Sequence, residues 1–330
     1  MTYILVDLMN LYFKSRHVVR GDDIETKIGM ALHIIFKSMA KSVRDFGGTH
    51  VVICMDGKSW RRDIYPQYKL RRRENSIALN KSRTESETAD EIKFEQAYRD
   101  FASFLEDETN CTVLQHNRCE ADDFIARWVQ NHPDHKHIII SSDSDFYQLI
   151  SENVSQYNGI TGEHMTLYGT FDDRGRPVID KKSKKQKQID DPEYILFEKC
   201  IRGDSTDGIF SAYPRAPKKG SKNRTGILDA FADRNKKGFD YNNFMLQTWV
   251  DHDDVEHRVI DRYELNRKLI DLTAQPLEIQ QYLDSTIIET TQKEPVKQVG
   301  IRFMKFCGKY DLQKLSDNPV EHAAYLGATY

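Results

Sequence analysis

Four short apolar runs in this chain each end in, or lead straight into, a carboxylate. Tyr3-Ile-Leu-Val runs into Asp7, and Val51-Val-Ile-Cys-Met into Asp56. The run 111–114 is followed after a short loop by Glu120-Ala-Asp122-Asp123, and 137–140 leads into Ser141-Ser-Asp143-Ser-Asp145. Continuous apolar runs of this length read as buried strands. Between them lie helical stripes: Ile28, Leu32, Ile35, Met39, Val43 and Phe46, halted by Gly47-Gly48, then Ile92, Phe94, Ala97, Phe101 and Phe104 on 89–107, then 120–131. Strand and helix in alternation predict an α/β fold with a mostly parallel central sheet flanked by helices. In such sheets ligands gather at the carboxyl ends of the strands. The acids are therefore expected on one rim.

So many carboxylates would repel one another and raise each other's pKa, a conflict that a divalent cation resolves. Hard oxygen ligands suit Mg2+, with Mn2+ a substitute, and two such ions can serve phosphodiester chemistry. An acid pair opening a helix, such as Asp122-Asp123, often serves only the helix dipole. Recurrence at successive strand ends is what favours a metal site.

The net charge is only −3, yet the cations are concentrated. Residues 58–73 hold seven basic side chains against the single acid Asp63, and 181–187 and 215–224 hold five each. That polarity suits phosphate beside a metal. Residues 58–87 show no apolar periodicity and read as a solvated, mobile excursion. Residues 163–189 read as an irregular hairpin. Beyond Pro192 strand signals fade, and helical stripes follow at 193–202, 225–234, 255–272, 276–289 and 297–315. The five cysteines form no Cys-x-x-Cys pair and read as buried, reduced thiols. His132, His135 and His137 read as a solvated connector rather than a zinc site, and Tyr12 as core. Trp60, Tyr65 and Tyr68 suit base stacking and packing equally. No run of apolar residues is long enough for a membrane span, and the N-terminus lacks a basic leader, so a cytoplasmic protein is expected.

Several motifs together resemble the phage 5′-nuclease and flap endonuclease family. They are Val51 to Asp56 with the basic run after it, Glu120-Ala-Asp122-Asp123, Ser141-Ser-Asp143-Ser-Asp145-Phe-Tyr-Gln-Leu149, and Gly203-Asp204-Ser-Thr-Asp207, in the family's order over about residues 3–210. Glu264 to Leu272 is similar to the tail of the family's phage ribonuclease H branch. The resemblance implies a PIN-like 5′-nuclease fold, with a catalytic domain over 1–205, an arch at 58–90 and a helical DNA-binding domain over 206–330. It implies a magnesium-dependent 5′-to-3′ exonuclease and flap endonuclease with ribonuclease H activity, acting on DNA and RNA–DNA hybrids with a 5′ single-stranded end or flap. Primer removal in phage DNA replication, inside the infected bacterial host, is the implied role. By position, Asp7, Asp56, Asp122 and Asp143 would hold one metal, with Glu120 and Asp123 adjacent. Asp145, Asp204 and Asp207 would surround the second. Lys69 and Arg72 would meet the scissile phosphate, while Arg61, Arg62, Arg71, Arg73, Lys218, Lys219, Lys222 and Arg224 would contact nucleic acid.

Such a nuclease would act as a monomer, with a single-stranded DNA-binding protein or sliding clamp as candidate partners. The chain departs from the family at 210–224. The glycine-rich, potassium-holding helix–hairpin–helix is reduced there to Gly220, with two prolines intruding. A toxin-like PIN ribonuclease and a non-catalytic DNA-binding replication factor are the alternatives. The basic arch speaks against the first, and the intact acid set against the second.

Overall fold

The computed structural model describes residues 1–18, 23–222 and 224–330 of the 330. Two compact units emerge, each discontinuous in sequence. The first comprises Met1–Ser59, Ser82–Ile189 and Pro276–Tyr330, the second Trp60–Lys81 and Asp190–Gln275.

The first unit is built on a seven-stranded sheet. Its strands are β1 (Thr2–Asp7), β2 (His50–Cys54), β3 (Thr112–Leu114), β4 (Lys136–Ile140), β5 (Val154–Asn158), β6 (Glu163–Thr166) and β7 (Gly169–Phe171). They lie in the order β3-β2-β1-β4-β5-β6-β7. β1 pairs in parallel with both β2 and β4, Ile4 standing beside Val51 and Ile138. β2 pairs in parallel with β3, and β4 with β5, while β6 and β7 close the edge antiparallel. Helices cover both faces, so β1 and β2 are apolar without alternation, and all five residues of β2 are buried. The fold class anticipated from the sequence is the one observed.

The helix Ile24–Phe46 shows how the chain specifies itself locally. The Asp23 side chain accepts the Thr26 N–H at 2.7 Å, satisfying one orphan donor of the first turn. Gly47 closes the other end at φ 69°, a left-handed conformation that costs glycine nothing. Its stripe of Ile28, Leu32, Ile35, Phe36 and Met39 is buried. The helix Glu85–Glu108 opens with a capping box, in which Glu87 N–H donates to Thr84 Oγ1 at 3.2 Å and Thr84 N–H to Glu87 Oε2 at 2.9 Å. Its Phe94, Ala97, Phe101 and Phe104 enter the core, but Ile92, expected among them, is exposed.

The core draws on distant chain. Phe36 meets Phe303 edge-on at 5.2 Å, and Phe104 stacks on Phe306 at 4.4 Å. Residues 276–330 thus pack with the sheet, and only 190–275 of the expected helical tail, with 60–81, forms the other unit. Apart from a two-stranded hairpin, β8 (Thr248–Val250) with β9 (Glu256–Arg258), that second unit is helical outside its loops.

Several local expectations need correction. Residues 58–87, expected as a solvated, mobile excursion, are solvated over much of their length but regular: they hold the short helix Arg61–Ile64, the helix Leu70–Ser82 and the first turn of Glu85–Glu108. Leu70–Ser82 buries no residue, so its helicity rests on backbone hydrogen bonds and good helix formers rather than on an apolar face. His137 is no part of a solvated connector. It lies buried on β4, its ring 5.6 Å from Tyr3, and burial pulls its pKa down to about 4. The five cysteines are free and buried, and Tyr12 is core, its hydroxyl donating to Phe94 O at 2.9 Å.

The solvated helix supplies a test. Ala78→Gly should weaken Leu70–Ser82 by about 1 kcal/mol locally and leave the global denaturant midpoint unchanged. Phe36→Ala, in the packed core, should cost about 3–5 kcal/mol. Equal losses in both variants, read by urea unfolding, would show that the exposed helix belongs to the cooperative core.

Candidate metal centre

Parallel pairing fixes where the acids go. β1, β2, β3 and β4 point the same way, so their carboxyl ends share a rim. Asp7 ends β1 and is buried. Its Oδ2 accepts the Ser141 hydroxyl at 3.0 Å and its Oδ1 the Asn10 N–H at 3.3 Å. Burial, and the negative charge of Asp56 and Asp143 nearby, push its pKa up to about 7 against the opposing pull of those two hydrogen bonds.

Asp56 follows β2. A tight strap holds it in place: Gly57 N–H donates to Cys119 O and Lys58 N–H to Asn117 O, both at 2.8 Å. A side chain at 57 could not fit, since its Cβ would lie 2.0 Å from His116 O. The strap sets Asp56 at the start of the helix Ala121–Asn131, where its Oδ1 accepts the Ala121 N–H at 2.8 Å. Glu120, Asp122 and Asp123 bring carboxylate oxygens within 4.8 Å of one another. Asp123 Oδ2 also accepts the Glu120 N–H at 2.9 Å, so dipole service and clustering coexist here.

After β4, Asp143 Oδ1 accepts the Asp145 N–H at 3.0 Å. The Asp143 N–H returns to Ser141 Oγ at 3.1 Å, and Gln156 on β5 donates to the Asp143 carbonyl at 2.7 Å. Asn10 Oδ1 accepts both the N–H and the hydroxyl of Ser142. Asn10, Ser141 and Gln156 therefore position the acids. Ser141 was visible within its motif, whereas nothing in the sequence marks Asn10 or Gln156.

The donor set suits a hard divalent cation. It is all oxygen, densely placed, and includes a carboxyl that cannot comfortably ionise without a counter-charge. Asp7, Asp56, Glu120, Asp122, Asp123, Asp143 and Asp145 all belong to the first unit.

In the second unit the Gly-Asp-x-x-Asp element forms a closed loop after the helix Pro192–Arg202. Gly203 has φ 73°, and a Cβ there would strike Ile209 O at 2.4 Å. Asp204 and Ile209 exchange backbone hydrogen bonds of 2.8 and 2.7 Å. Asp204 Oδ1 accepts the Thr206 N–H at 2.8 Å, and Lys199 Nζ lies 3.0 Å from Oδ2. Burial opposes ionisation of Asp204, but the Lys199 ammonium and the loop amides outweigh it and lower the pKa. Asp207 is approached by Arg72 at 2.8 Å and by Lys69 Nζ at 3.9 Å. Lys69 itself sits at φ 53°, its N–H donating to Asp207 O at 2.7 Å.

The basic residues separate by exposure. Arg71, Arg72, Lys218, Lys219, Lys222 and Arg224 are exposed, Arg62 and Arg73 half-buried. Arg61 departs from the expected phosphate contact. It is 0% exposed, with Nε donating to Leu269 O at 2.8 Å and its guanidinium 4.8 Å from the Trp60 ring. Trp60, Tyr65 and Tyr68 are likewise buried, which favours packing over base stacking.

A parallel sheet whose carboxyl edge is lined by acids, with helices following its second strand, fits the 5′-nuclease class of α/β folds. Residues 2–181 match the family model of the 5′-3′ exonuclease, N-terminal resolvase-like domain, and the chain belongs to that family. Over 163 residues it is 31% identical to the ribonuclease H of Enterobacteria phage T4, an alignment covering 47% of this chain and 51% of that protein. Over 252 residues it is 25% identical to DNA polymerase I of Rhizobium leguminosarum, covering 73% of this chain and 20% of the polymerase. The matched stretches thus span about half or less of the length of these relatives.

The fold is shared with the T5 5′-exonuclease carrying divalent metal ions (zinc), at TM-score 0.56 and 18% identity over 88% of this chain and 98% of that one. It is also shared with the bacteriophage T5 flap endonuclease in a pseudo-enzyme-product complex with DNA and metal ions, at TM-score 0.56 and 18% identity over 89% of this chain and 100% of that one. Among the described residues no helix is long and apolar enough to cross a membrane.

The raised pKa of Asp7 has a measurable consequence without metal. The folded protein holds this proton up to about pH 7, while an unfolded aspartate releases it near pH 4. The contribution of the protonated group is therefore complete below about pH 4 and is lost as pH climbs through 7. In EDTA, Asp7→Asn should leave Tm nearly unchanged at pH 4.5 and raise it at pH 8. A difference between variant and wild type that stays flat across this range would refute the burial and repulsion described here.

Proposed function

We propose that the chain is a divalent-metal-dependent, structure-specific 5′-nuclease, cutting phosphodiesters of DNA and RNA–DNA hybrids at a 5′ single-stranded end or flap. Membership of the 5′-3′ exonuclease family supports phosphodiester hydrolysis. The observation that carries the metal dependence is the acid rim of the first unit, with seven carboxylates from Asp7 to Asp145 at successive strand ends. Mg2+ fits the all-oxygen donor set, with Mn2+ as a substitute, and two ions are proposed. When bound, such ions supply Lewis acidity and lower the pKa of attacking water.

The rest is the work of side chains. Backbone amides at Asn10, Ala121 and Asp145 each hold one oxygen of Asp7, Asp56 and Asp143, so these carboxylates are aimed before any ligand arrives. Lys69 and Arg72 are proposed to stabilise negative charge on the scissile phosphate. Arg62, Arg71, Arg73, Lys218, Lys219, Lys222 and Arg224 are proposed to contact phosphates and set affinity without sequence preference. Arg61 is left out of that group because it is buried. A catalytic region over 1–205 with its arch at 58–90, a nucleic-acid-binding region over 206–330 whose contacts are carried by its part up to residue 275, since 276–330 pack with the sheet, and removal of RNA primers in phage replication complete the proposal. The ribonuclease H name of the phage T4 relative supports that last role.

Two measurements test it on labelled 5′-flap substrates. Asp56→Asn or Asp143→Asn keeps the hydrogen-bond acceptor but removes the charge. Either should abolish magnesium-dependent cleavage while leaving DNA affinity within a few fold, because affinity comes from the basic surface. Normal turnover in a folded variant would rule out the metal site. Lys69→Ala exchanges one non-glycine residue for another at φ 53°, so the backbone should persist. It should lower kcat by about 10²–10³-fold with little change in KM, whereas a loss confined to KM would make Lys69 a steering group.

A further inference from the structure

Within the second unit a cleft of about 320 Å³ opens beside the Gly203-to-Ile209 loop. Leu70, Arg71, Arg202, Ser205, Ile209 and Phe210 line it, and no carboxylate does. Phe210 is 62% exposed. A single exposed phenylalanine is ordinary, but this one is presented by a backbone that cannot swing away. Its carbonyl accepts the Asn266 amide at 2.8 Å, and the neighbouring Ser211 hydroxyl and Ala212 N–H both donate to Ile201 O at 2.8 Å. Gly203 is packed so closely that a Cβ would come within 2.6 Å of the Phe210 carbonyl carbon. The Arg262 guanidinium stands 5.6 Å from the Phe210 ring and is itself fixed, its Nη2 donating to the Tyr65 hydroxyl at 3.0 Å.

A rigid, exposed aromatic face beside cations, in a cleft with apolar and hydroxyl lining, matches one chemical class. A nucleotide offers a flat π-surface that stacks on an aromatic ring and a phosphate that seeks arginine. A purely apolar ligand would leave Arg71 unused, and a bare anion would leave Phe210, Leu70 and Ile209 unused; Arg202, whose Nη1 donates to Ala216 O at 2.9 Å and whose Nε stands 3.8 Å from Glu198, adds its positive charge from a fixed position.

We propose that this cleft is a subsite for one unpaired nucleotide of the bound strand, its base stacked on Phe210 and its phosphate drawn by Arg71 and Arg202. The subsite rests on the nuclease reading above and adds to it a base-contacting position apart from the carboxylates and from Lys69. Stacking serves every base, and among the lining residues only Gln67, Ser205 and Ser211 carry neutral hydrogen-bonding side chains, so the subsite senses an unpaired base without selecting which one.

The experiment measures binding of a 5′-flap oligonucleotide by fluorescence anisotropy in Ca2+. One abasic nucleotide is moved stepwise along a thymidine flap. For wild type, a single position should weaken binding on the order of 10-fold. Phe210→Ala should weaken the unmodified flap by a similar factor and erase that positional dependence, while Phe210→Trp keeps both. Phe210 is exposed, so circular dichroism of Phe210→Ala should match wild type. Arg71→Gln should weaken binding of the intact and the abasic flap equally. If Phe210→Ala retains wild-type affinity and the same abasic profile, the subsite is refuted even where wild type cleaves the flap. If Phe210→Leu behaves like wild type, stacking is refuted. Failure of wild type to cleave any 5′-flap in Mg2+ would instead overturn the nuclease reading, and the two failures are separable.

Discussion

Like charges at a shared sheet edge govern this molecule. Parallel pairing of β1 with β2 and β4 obliges the residues at the carboxyl ends of those strands to converge, and the chain places acids there. It does not relieve the repulsion with lysine or arginine at Asp7. It uses neutral donors, the Ser141 hydroxyl and the Asn10 amide, which orient a carboxylate without cancelling its charge. Backbone amides also help to aim Asp56, Asp123 and Asp143, whose side chains accept the N–H groups of Ala121, Glu120 and Asp145. A carboxylate that is aimed but not neutralised is what a cation can exploit, and it leaves the metal-free fold carrying electrostatic cost.

The second unit treats its acids in the opposite way. Asp204 has Lys199 beside it, and Asp207 has Arg72 and Lys69. Cations here lower the tendency to protonate, as the depressed pKa of Asp204 shows. Asp7 is raised first by its complete burial and then by the charge of Asp56, whereas Asp204 is only half-buried and the Lys199 ammonium and loop amides outweigh that burial, so burial and partner charge together separate them. The two neighbourhoods therefore differ in what faces their acids: a hydroxyl and a backbone amide at Asp7, and ammonium and guanidinium groups at Asp204 and Asp207.

Legibility in the sequence tracked the range of the interaction. Strands β1 to β4 were readable because burial on both faces makes them continuously apolar. The helix Ile24–Phe46 was readable because its stripe and its Gly47 stop are local. β5 was not, since Ser155 and Gln156 break its apolar pattern and only pairing with β4 defines it. β8 and β9 are three residues each, too short to leave a period. The helix Leu70–Ser82 escaped because an amphipathic test finds nothing in a helix that buries no face. At the site, the acids announced themselves by position after strands. Asn10 and Gln156 did not, because their roles depend on contacts 132 and 13 residues away. Arg61 looked like its basic neighbours, and only three-dimensional packing beneath Trp60 distinguishes it.

The packing of Phe303 against residues from the opposite end of the chain bears on how the protein comes into being. Phe36 and Phe303 are brought to 5.2 Å, and Tyr325 and Leu326 are buried in the same cluster. Contacts of such long sequence separation close large loops and slow the search for the native state. During synthesis the acid-bearing strands emerge early, but the hydrophobic layer covering one face of their sheet is completed only when residues 299–326 have been made. A nascent chain therefore leaves one face of this sheet without its full cover until residues 299–326 have emerged. During that interval the aromatic layer is exposed and open to intermolecular association.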